Sequence, residues 1–341
     1  MDGTEGVLDE LGALIAAYPG PQGRRLLRSI VDAVADLARD QAEVADLKIA
    51  NAAIGEMAEA FAIFRPYRGV RKLTMFGSAR TKPQDPIYTV ARDLAREMAS
   101  LGWMVVTGAG EGIMAAGIEG AGREHSFGVN IQLPFEQGAN AFIAEDPKLI
   151  EMKYFFTRKL MLLKESHGFA VLPGGIGTLD ETFELLTLIQ TGKATPAPVV
   201  LVETPGGGYW ERLMAFLADE CVVRGYVSVE DLGLLRIASS VEEAVAQLEG
   251  FYANYRSSRY VDGRLVLRLN EAPSAPELAS LSREFADLLA EGAIERADAA
   301  PVELRDRDEP DAERVVLSFN RVAYGRLREL IDALNAKSRQ P

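Results

Sequence analysis

The feature that most constrains this sequence is an alternation between short apolar runs and amphipathic stretches, which continues from Leu73 to Tyr255. Short apolar runs bounded by glycine or proline are typical of strands that are buried on both faces. Strands that alternate with helices form right-handed βαβ units, so the pattern predicts an α/β fold with a doubly wound parallel sheet. The predicted strands are Leu73–Phe76, Trp103–Thr107, Phe127–Leu133, Phe169–Leu172, Pro198–Val202 and Leu235–Ile237.

Amphipathic stretches between these strands predict the helices of the same domain. They are Ile87–Leu101, a helix from about Gly112, Leu149–Ser166, Thr178–Thr191, Trp210–Asp219 and Val241–Tyr255. The α/β domain is predicted to span residues 70–258. Ligands of such sheets bind beyond the carboxyl ends of the strands, and the glycine-rich turns after Phe76, Thr107 and Leu172 all fall at that edge.

The segments on either side of this domain follow other patterns. Before residue 65, apolar residues such as Leu26, Ile30 and Val34 recur at helical spacing, which predicts a helical extension over residues 1–69. This extension is interpreted as a helical cap or a dimerisation arm. The tail, residues 259–341, is predicted to be a small α+β appendage. Its predicted elements are strands Arg264–Leu269 and Val315–Phe319, helices Pro276–Leu289 and Tyr324–Leu334, and a loop or edge segment Asp298–Arg314.

Charge and composition exclude several classes of function. The chain has 341 residues, a formal net charge of −13 and a pI near 4.9, which argues against a nucleic acid or an anionic membrane as the main partner. No apolar run approaches the roughly 20 residues of a membrane span, and the acidic start of the sequence has no signal-peptide pattern. Cys221 is the only cysteine, so we expect no intrachain disulfide and a cytoplasmic location.

The sharpest motif is the segment Pro173–Thr178, which follows a predicted strand and opens a predicted helix. Its three glycines let the backbone turn tightly and bring N–H groups close to a ligand. The helix N-terminus adds a partial positive charge and unpaired N–H donors, which together favour a phosphate. Thr178 is expected either to cap the helix or to donate its hydroxyl to a phosphate oxygen.

Two charged residues on neighbouring helices complete the predicted site. Glu181 lies one turn into the helix after the Pro173–Thr178 loop, where a carboxylate beside a ribose could stabilise an oxocarbenium-like transition state or activate water. Glu184 and Thr187 share much the same side of that helix. On the preceding helix, Arg158 suits a phosphate or a developing negative charge because its guanidinium binds in a bidentate fashion. The alternative to a ligand-binding role is that the positive charges of this helix form a solvated surface.

A second glycine-rich turn, Gly108-Ala109-Gly110-Glu111-Gly112 before Met114, is predicted to face the same cleft. It lacks the acidic residue that a dinucleotide-binding fingerprint places about 20 residues further on, so NAD binding is disfavoured and mononucleotide binding is not. Ser78, in the turn after the first strand, is expected to add backbone and hydroxyl donors. The chain has no GxxxxGK[ST] or GxSxG motif, and its two histidines, His125 and His167, have no metal-ligand spacing.

These motifs together resemble the LOG family, the cytokinin riboside 5'-monophosphate phosphoribohydrolases, once described as lysine decarboxylase-like. PGGIGTLDE at 173–181 resembles the family's PGGxGTxxE motif, and FTRK at 156–159 resembles its Arg-Lys pair. FGSAR at 76–80 and TGAGEGIMAA at 107–116 resemble its first-strand and glycine-turn segments. The resemblance covers about residues 70–255. Nothing in the sequence marks the pyridoxal-binding lysine that a decarboxylase would need.

The resemblance implies a Rossmann-like homodimer that cleaves a nucleoside monophosphate to free base and ribose 5-phosphate without a metal or organic cofactor. Arg158 and Glu181 would be the catalytic pair, and Glu136 would match a substrate-contacting glutamate. The other residues implied to contact the nucleotide are Lys159, Gly174, Gly175, Gly177, Thr178 and Thr187. The chain is longer at both ends than the plant members and resembles longer bacterial members, so its substrate is expected to be AMP-like or a cytokinin riboside monophosphate.

Two alternatives to this enzyme remain open from the sequence. A non-catalytic protein that senses a nucleotide or carries a phosphorylated pterin-type cofactor could use the same fold and the same phosphate loop, because function depends on the site and not on the scaffold. The presence of both Arg158 and Glu181 favours the enzyme. A further hypothesis is that the tail makes the enzyme responsive to an allosteric ligand.

Overall fold

The structure, a computed structural model, describes residues 3–133 and 138–337 and divides into two compact units, Met1–Ala58 and Glu59–Pro341. The first unit contains the helices α1 (Gly3–Ala17) and α2 (Pro21–Arg39) and most of α3 (Val44–Phe64). The helices predicted before residue 65 are therefore confirmed. Proline is favoured in the first turn of a helix because its missing N–H would have no intrahelical acceptor there, and Pro21 opens α2.

The second unit is built on a parallel sheet of seven strands with the order β4-β3-β2-β1-β5-β6-β7. Most of these strands are buried along their whole length, as the unbroken apolar runs predict. The sheet confirms the predicted α/β, Rossmann-like class. Its strands are β1 (Lys72–Phe76), β2 (Met104–Thr107), β3 (Ser126–Ile131), β4 (Leu149–Met152), β5 (Gly168–Val171), β6 (Val199–Val202) and β7 (Leu235–Ala238).

Six helices connect these strands or follow the last of them. They are α4 (Pro86–Ser100), α5 (Ile113–Ala121), α6 (Phe155–Lys164), α7 (Ile176–Gln190), α8 (Tyr209–Phe216) and α9 (Val241–Gly250). The chain adds β2, β3 and β4 on one side of β1, and then β5, β6 and β7 on the other. The strand order therefore reverses between β1 and β5, which pair in parallel from Leu73 with Gly168 to Phe76 with Val171. Such a reversal opens a crevice at the carboxyl ends of the two strands.

The first part of the predicted helix Leu149–Ser166 is wrong, because Leu149–Met152 forms the edge strand β4 beside β3. Buried residues alternate with partly exposed ones along β4. This period of two is typical of a strand with one covered face. A helix does follow, but it begins at Phe155.

A second sheet, of four antiparallel strands in the order β10-β11-β9-β8, follows the parallel one. Its strands are β8 (Tyr255–Val261), β9 (Arg264–Leu269), β10 (Leu289–Arg296) and β11 (Glu313–Phe319), and its helices are α10 (Ala275–Glu284), α11 (Pro301–Asp306) and α12 (Tyr324–Lys337). Here β9 matches its prediction. The sequence did not predict β8 or β10, and it predicted the segment of α11 as a loop or edge. Helices α9 and α10 end earlier than predicted.

The two sheets of the second unit share one apolar core. Its buried residues include Leu73 and Val200 from the parallel sheet, Leu267 and Leu317 from the antiparallel sheet, and Leu330 from α12. Ser240 caps α9 by accepting a hydrogen bond from the backbone N–H of Glu243 at 3.1 Å. The tail is thus packed into the unit that carries the parallel sheet.

Candidate active site

A cavity of about 610 Å³ lies at the crevice between the ends of β1 and β5. The turns after β1, β2 and β5 all contribute to it, because parallel strands end at the same edge of a sheet. Its volume is within the range of about 300–1,000 Å³ that is common for small-molecule sites. The predicted site residues that line it are Ser78, Gly108, Met114, Arg158, Gly175, Gly177, Thr178 and Glu181.

The Pro173–Thr178 loop presents the start of α7 to this cavity. Gly175 is the N-cap residue, and the helix begins at Ile176. The first N–H groups of a helix have no intrahelical acceptors and carry a partial positive charge, so this helix end favours an anion in the cavity. A Cβ atom added at Gly174 would lie 2.2 Å from Thr178 Oγ1, whereas one added at Gly175 or Gly177 would meet no atom within 4 Å. The loop is therefore tight at Gly174 and open where it lines the cavity.

Thr178 does not cap α7, so that expectation is wrong. The helix begins two residues earlier than predicted, and Thr178 lies within its first turn. Ile176, Gly177 and Thr178 are already helical, and Gly175 holds the N-cap position without a side-chain hydrogen bond, a place where glycine is tolerated at little cost. The Thr178 side chain is buried beside Gly174 and lines the cavity. Donation of its hydroxyl to a phosphate oxygen stays a prediction.

The glycine turn after β2 is held by hydrogen bonds from outside it. The backbone N–H of Ala109 donates to Thr107 Oγ1 at 3.1 Å, and Asn140 Nδ2 donates to the carbonyl of Ala109 and to that of Gly110, each at 2.9 Å. Gly112 has a φ of 65°, and a Cβ there would lie 2.3 Å from the carbonyl oxygen of Ser78. Gly110 and Gly112 therefore shape the turn and do not line the cavity.

Arg158 is fixed beneath this turn by backbone carbonyls. Its Nε donates to the carbonyl of Val129 at 2.9 Å, and its Nη2 approaches the carbonyl of Gly108 at 3.4 Å. A Cβ at Gly108 would lie 2.0 Å from Nη2, so the glycine leaves room for the guanidinium in the position it has here. The side chain is 11% exposed. The sequence predicted Arg158 as one of the catalytic pair, and in the structure its side chain has a fixed position at the cavity wall.

Glu181 faces Arg158 across the cavity wall. Its Oε1 lies 3.8 Å from Arg158 Nη1, and its side chain is 17% exposed. Burial raises the pKa of Glu181 above its ordinary value, although the charges of Arg158 and Lys159 oppose this effect. The pair is close enough for electrostatic coupling and too far apart for a direct hydrogen bond. A partly buried carboxylate of raised pKa in a cleft is typical of a group that exchanges protons.

Lys159, the residue after Arg158, has other partners. Its Nζ lies 2.6 Å from Asp180 Oδ2 and 2.7 Å from Glu184 Oε2. Burial lowers the pKa of Lys159, but the hydrogen bonds to Asp180 and Glu184 outweigh this effect and raise it above its ordinary value. These ion pairs join α6 to α7, so Lys159 holds together the two helices that carry Arg158 and Glu181.

Two of the remaining predicted residues, Thr187 and Gly174, do not line the cavity. The hydroxyl of Thr187 donates to the carbonyl of Phe183 at 2.8 Å on an exposed part of α7. Gly174 accepts a hydrogen bond from the hydroxyl of Tyr209 at 2.7 Å. Glu136 lies outside the described residues.

Several cavity residues were not predicted as site residues. Arg80 is an exposed cation at the mouth, and Phe155 and Ile176 are apolar side chains that are 53% and 88% exposed. The position of Arg80 just after the first strand was a usable signal, since that strand end borders the crevice. The two apolar residues gave no signal, because a single apolar residue at a helix start is usually part of a packing face.

Within residues 3–133 and 138–337, no cluster of three or more His, Cys, Asp or Glu side chains could hold a metal ion. Within the same ranges no helix has the length and apolar character needed to cross a membrane.

Comparison with known proteins identifies the family. A family profile described as "Possible lysine decarboxylase" matches residues 111–248, which include Arg158, the Pro173–Thr178 loop and Glu181. The chain is 28% identical over 187 residues to cytokinin riboside 5'-monophosphate phosphoribohydrolase LOG3 of Arabidopsis thaliana, covering 53% of this chain and 83% of that protein. It is 30% identical over 166 residues to the probable cytokinin riboside 5'-monophosphate phosphoribohydrolase LOGL3 of Oryza sativa subsp. japonica, covering 47% and 75%. The chain belongs to the LOG family.

A solved structure with a similar fold is the molybdenum cofactor carrier protein MCP from Chlamydomonas reinhardtii. It is 21% identical to this LOG-family chain with a TM-score of 0.38, and the match covers 53% of this chain and 96% of that one. Each of these similarities extends over about half of the LOG-family chain described here.

Proposed function

We propose that this LOG-family protein hydrolyses the N-glycosidic bond of a nucleoside 5'-monophosphate, giving a free base and ribose 5-phosphate. The observation that carries the proposal is the position of Glu181, 3.8 Å from Arg158 in the cavity onto which the Pro173–Thr178 loop opens. The start of α7 supplies donors for a phosphate. The Glu181 carboxylate lies about one helical turn further along α7, and the Arg158 guanidinium lies opposite it on α6. Similarity to the plant phosphoribohydrolases supports the same reaction.

The proposed reaction follows from this arrangement. The 5'-phosphate binds the amides at the start of α7, which directs the ribose toward Glu181. The C1'–N bond breaks, and the Glu181 carboxylate stabilises the positive charge that develops on the ribose ring. A water molecule adds its hydroxyl to C1', and its proton passes through Glu181 to the departing base nitrogen. The raised pKa of Glu181 suits both the acceptance and the return of this proton.

The role proposed for Arg158 is to orient Glu181 and to neutralise charge on the phosphate side of the cavity. Its hydrogen bonds to the carbonyls of Val129 and Gly108 fix the guanidinium before substrate binds. Because these positions are preset, little reorganisation is needed during the reaction. Phe155 and Ile176 line the same cavity and provide apolar surface for a planar base, which is compatible with AMP or a cytokinin riboside monophosphate.

The test is a substrate panel with detection of the released base. AMP, GMP, CMP and an adenine-modified monophosphate are incubated with the wild-type protein, with Glu181→Gln and with Glu184→Gln. Glu184 is the matched control, because it lies one turn further along α7, pairs with Lys159 and does not line the cavity. We expect base release by the wild type and by Glu184→Gln, and almost none by Glu181→Gln.

Two outcomes would contradict the proposal. No release from any monophosphate by the wild type would reject hydrolysis, and a tightly bound ligand without turnover would support the carrier alternative instead. Equal activity of Glu181→Gln and the wild type would reject the proposed role of the carboxylate.

We also propose that the protein is a homodimer, as the family resemblance implies. Phe156, Leu160 and Phe183 are exposed apolar residues on α6 and α7, which is the kind of surface that a second copy could cover. Sedimentation equilibrium of the full chain gives the mass directly. A monomer at all accessible concentrations would reject this proposal.

A further inference from the structure

A second cavity, of about 350 Å³, lies between β7, α9 and α12. It shares no lining residue with the active-site cavity. One wall belongs to the parallel-sheet region through α9, and the other belongs to the tail through α12. Such a volume is at the lower end of the range for small-molecule sites.

The charged groups of this cavity are two arginines and one aspartate. Arg328 Nε lies 3.0 Å from Asp332 Oδ1, and Arg236 Nη2 lies 3.2 Å from Asp332 Oδ2. One carboxylate thus serves two guanidinium groups, which leaves a net charge of about +1 at the cavity wall. In a protein of net charge −13, a positive cavity is selective for an anion.

Arg328 is the more deeply placed of the two. Its side chain is 5% exposed, and its guanidinium carbon lies 4.7 Å from the centroid of the Phe251 ring. Burial lowers the pKa of Arg328 below its ordinary value, although Asp332 opposes this effect. A second anion next to this guanidinium would therefore stabilise its charged form.

Two polar atoms of the cavity side chains have no hydrogen-bond partner within the described part of the chain. They are Arg328 Nη1, a donor, and Gln247 Oε1, an acceptor. Gln247 is oriented by its Nε2 group, which donates to the carbonyl of Ile237 at 3.0 Å. Buried polar atoms without partners are costly, so a ligand that offers both an acceptor and a donor would be bound favourably.

We propose that this cavity binds a small organic phosphate that also carries hydroxyl groups. The phosphate oxygens pair with the guanidinium groups of Arg328 and Arg236, and a ligand hydroxyl donates to Gln247 Oε1. A phosphate fits better than a carboxylate, because Asp332 already takes one side of each guanidinium and three oxygens can bridge the two remaining sides. The ligand would join α9 to α12, and so the parallel-sheet region to the tail.

The test uses glycerol 3-phosphate as probe, with inorganic phosphate and malate as comparisons. Calorimetry gives the affinity, and amide hydrogen exchange locates the site, since the active-site loop also favours phosphate. The variant Arg236→Ala removes a half-exposed guanidinium, and Arg224→Ala is its control, because Arg224 is an exposed, ion-paired arginine outside the cavity. A second variant, Ala246→Tyr, fills the cavity from an exposed position of α9 without changing its charge.

We expect glycerol 3-phosphate to protect amides in α9 and α12 and to bind more tightly than inorganic phosphate. Arg236→Ala should weaken this binding about tenfold or more, and Ala246→Tyr should abolish it, while Arg224→Ala leaves it unchanged. Protection confined to the Pro173–Thr178 loop, or unchanged affinity in both cavity variants, would overturn the proposal. Equal or tighter binding of malate would overturn the assignment to a phosphate.

Discussion

Glu303, on α11 beside the antiparallel sheet, and Glu181, at the active-site crevice, each lie against arginine, but the pairing differs. In the antiparallel sheet, Arg268 donates to Glu303 Oε1 through Nη2 at 2.7 Å and through Nε at 3.0 Å, and Arg314 Nε lies 3.4 Å from the same oxygen. At the crevice, Glu181 has the guanidinium of Arg158 at 3.8 Å. The Glu303 carboxylate accepts direct hydrogen bonds from its arginine partners, whereas Glu181 has the positive charge of Arg158 nearby but accepts no direct hydrogen bond from it.

The difference shows in the pKa of each carboxyl. Burial raises the pKa of Glu303, but the hydrogen bonds from Arg268 and from the Ala300 N–H, with the charge of Arg314, hold it below its ordinary value. For Glu181 burial dominates, and the pKa is raised. A glutamate that accepts a full set of hydrogen bonds from arginine stabilises the fold. A glutamate near an arginine without those hydrogen bonds remains able to exchange a proton.

The largest expected effect is on stability. Glu303→Gln removes the charge of the buried carboxylate that Arg268 and Arg314 share, so we expect the free energy of unfolding to fall by about 3–5 kcal/mol. Glu181→Gln should leave it unchanged or raise it, because a buried charge is removed from an incomplete pair. Urea unfolding followed by circular dichroism measures both variants. If the two variants lost equal stability, the contrast between the sites would be rejected.

The next effect concerns the guanidinium of Arg158. Lysine at this position keeps the charge but cannot donate to both the Val129 carbonyl and the cavity, so we expect Arg158→Lys to lower kcat/KM about 10- to 100-fold. Lys164→Arg, on the same helix but outside the cavity, is the matched control and should keep wild-type kinetics. Wild-type kcat/KM in Arg158→Lys would show that only charge matters at this position.

A smaller effect is expected in the pH dependence of stability. The pKa of Glu303 is lowered in the folded state, so its contribution is present above its unfolded pKa of about 4.3 and is lost as the pH falls through the folded value. For Glu181 the pH dependence of stability has the opposite sign. Its raised pKa favours the folded state at low pH, and this stabilisation is lost as the pH rises through the folded pKa.

The measurement for this prediction is the urea midpoint at a series of acidic pH values for the wild type, Glu303→Gln and Glu181→Gln. Stability should fall less steeply with acidification in Glu303→Gln than in the wild type. It should fall more steeply in Glu181→Gln, since the opposing group is gone. If the urea midpoint changed with pH in both variants as it does in the wild type, the pKa shifts described for Glu303 and Glu181 would be rejected.

The smallest expected effect comes from a residue that positions the phosphate loop. The hydroxyl of Tyr209 donates to the carbonyl of Gly174, and the Tyr209 N–H donates to Glu203 Oε2 at 2.9 Å. Tyr209→Phe removes only the first bond, so we expect KM to rise a few-fold with little change in kcat and a loss of about 1 kcal/mol in stability. Tyr226→Phe, at a side chain that is 73% exposed, is the control. A fall in kcat with unchanged KM would contradict a positioning role.

The sequence determined the parallel sheet and the main parts of the candidate site. The runs around Leu73–Phe76 and Phe169–Leu172 predicted the central strands, because a strand buried on both faces must be apolar throughout. The Pro173–Thr178 loop, Arg158 and Glu181 follow from local motifs at strand and helix ends, and parallel strands bring such ends to one edge. These features depend on short-range pattern, which a single chain displays directly.

The tertiary structure decided what depends on neighbours distant in sequence. The strand Leu149–Met152 was predicted as helix, and it forms a strand because the edge of β3 offers a hydrogen-bonding partner there. Lys159 was expected at the nucleotide, and it pairs instead with two carboxylates that the packing of α7 brings to it. Arg236 and Arg328 are 92 positions apart and carry no motif, yet they line one cavity. The periodicity of a strand or helix can be read from neighbouring residues in the sequence, whereas the partner of a charged side chain is decided only by tertiary packing.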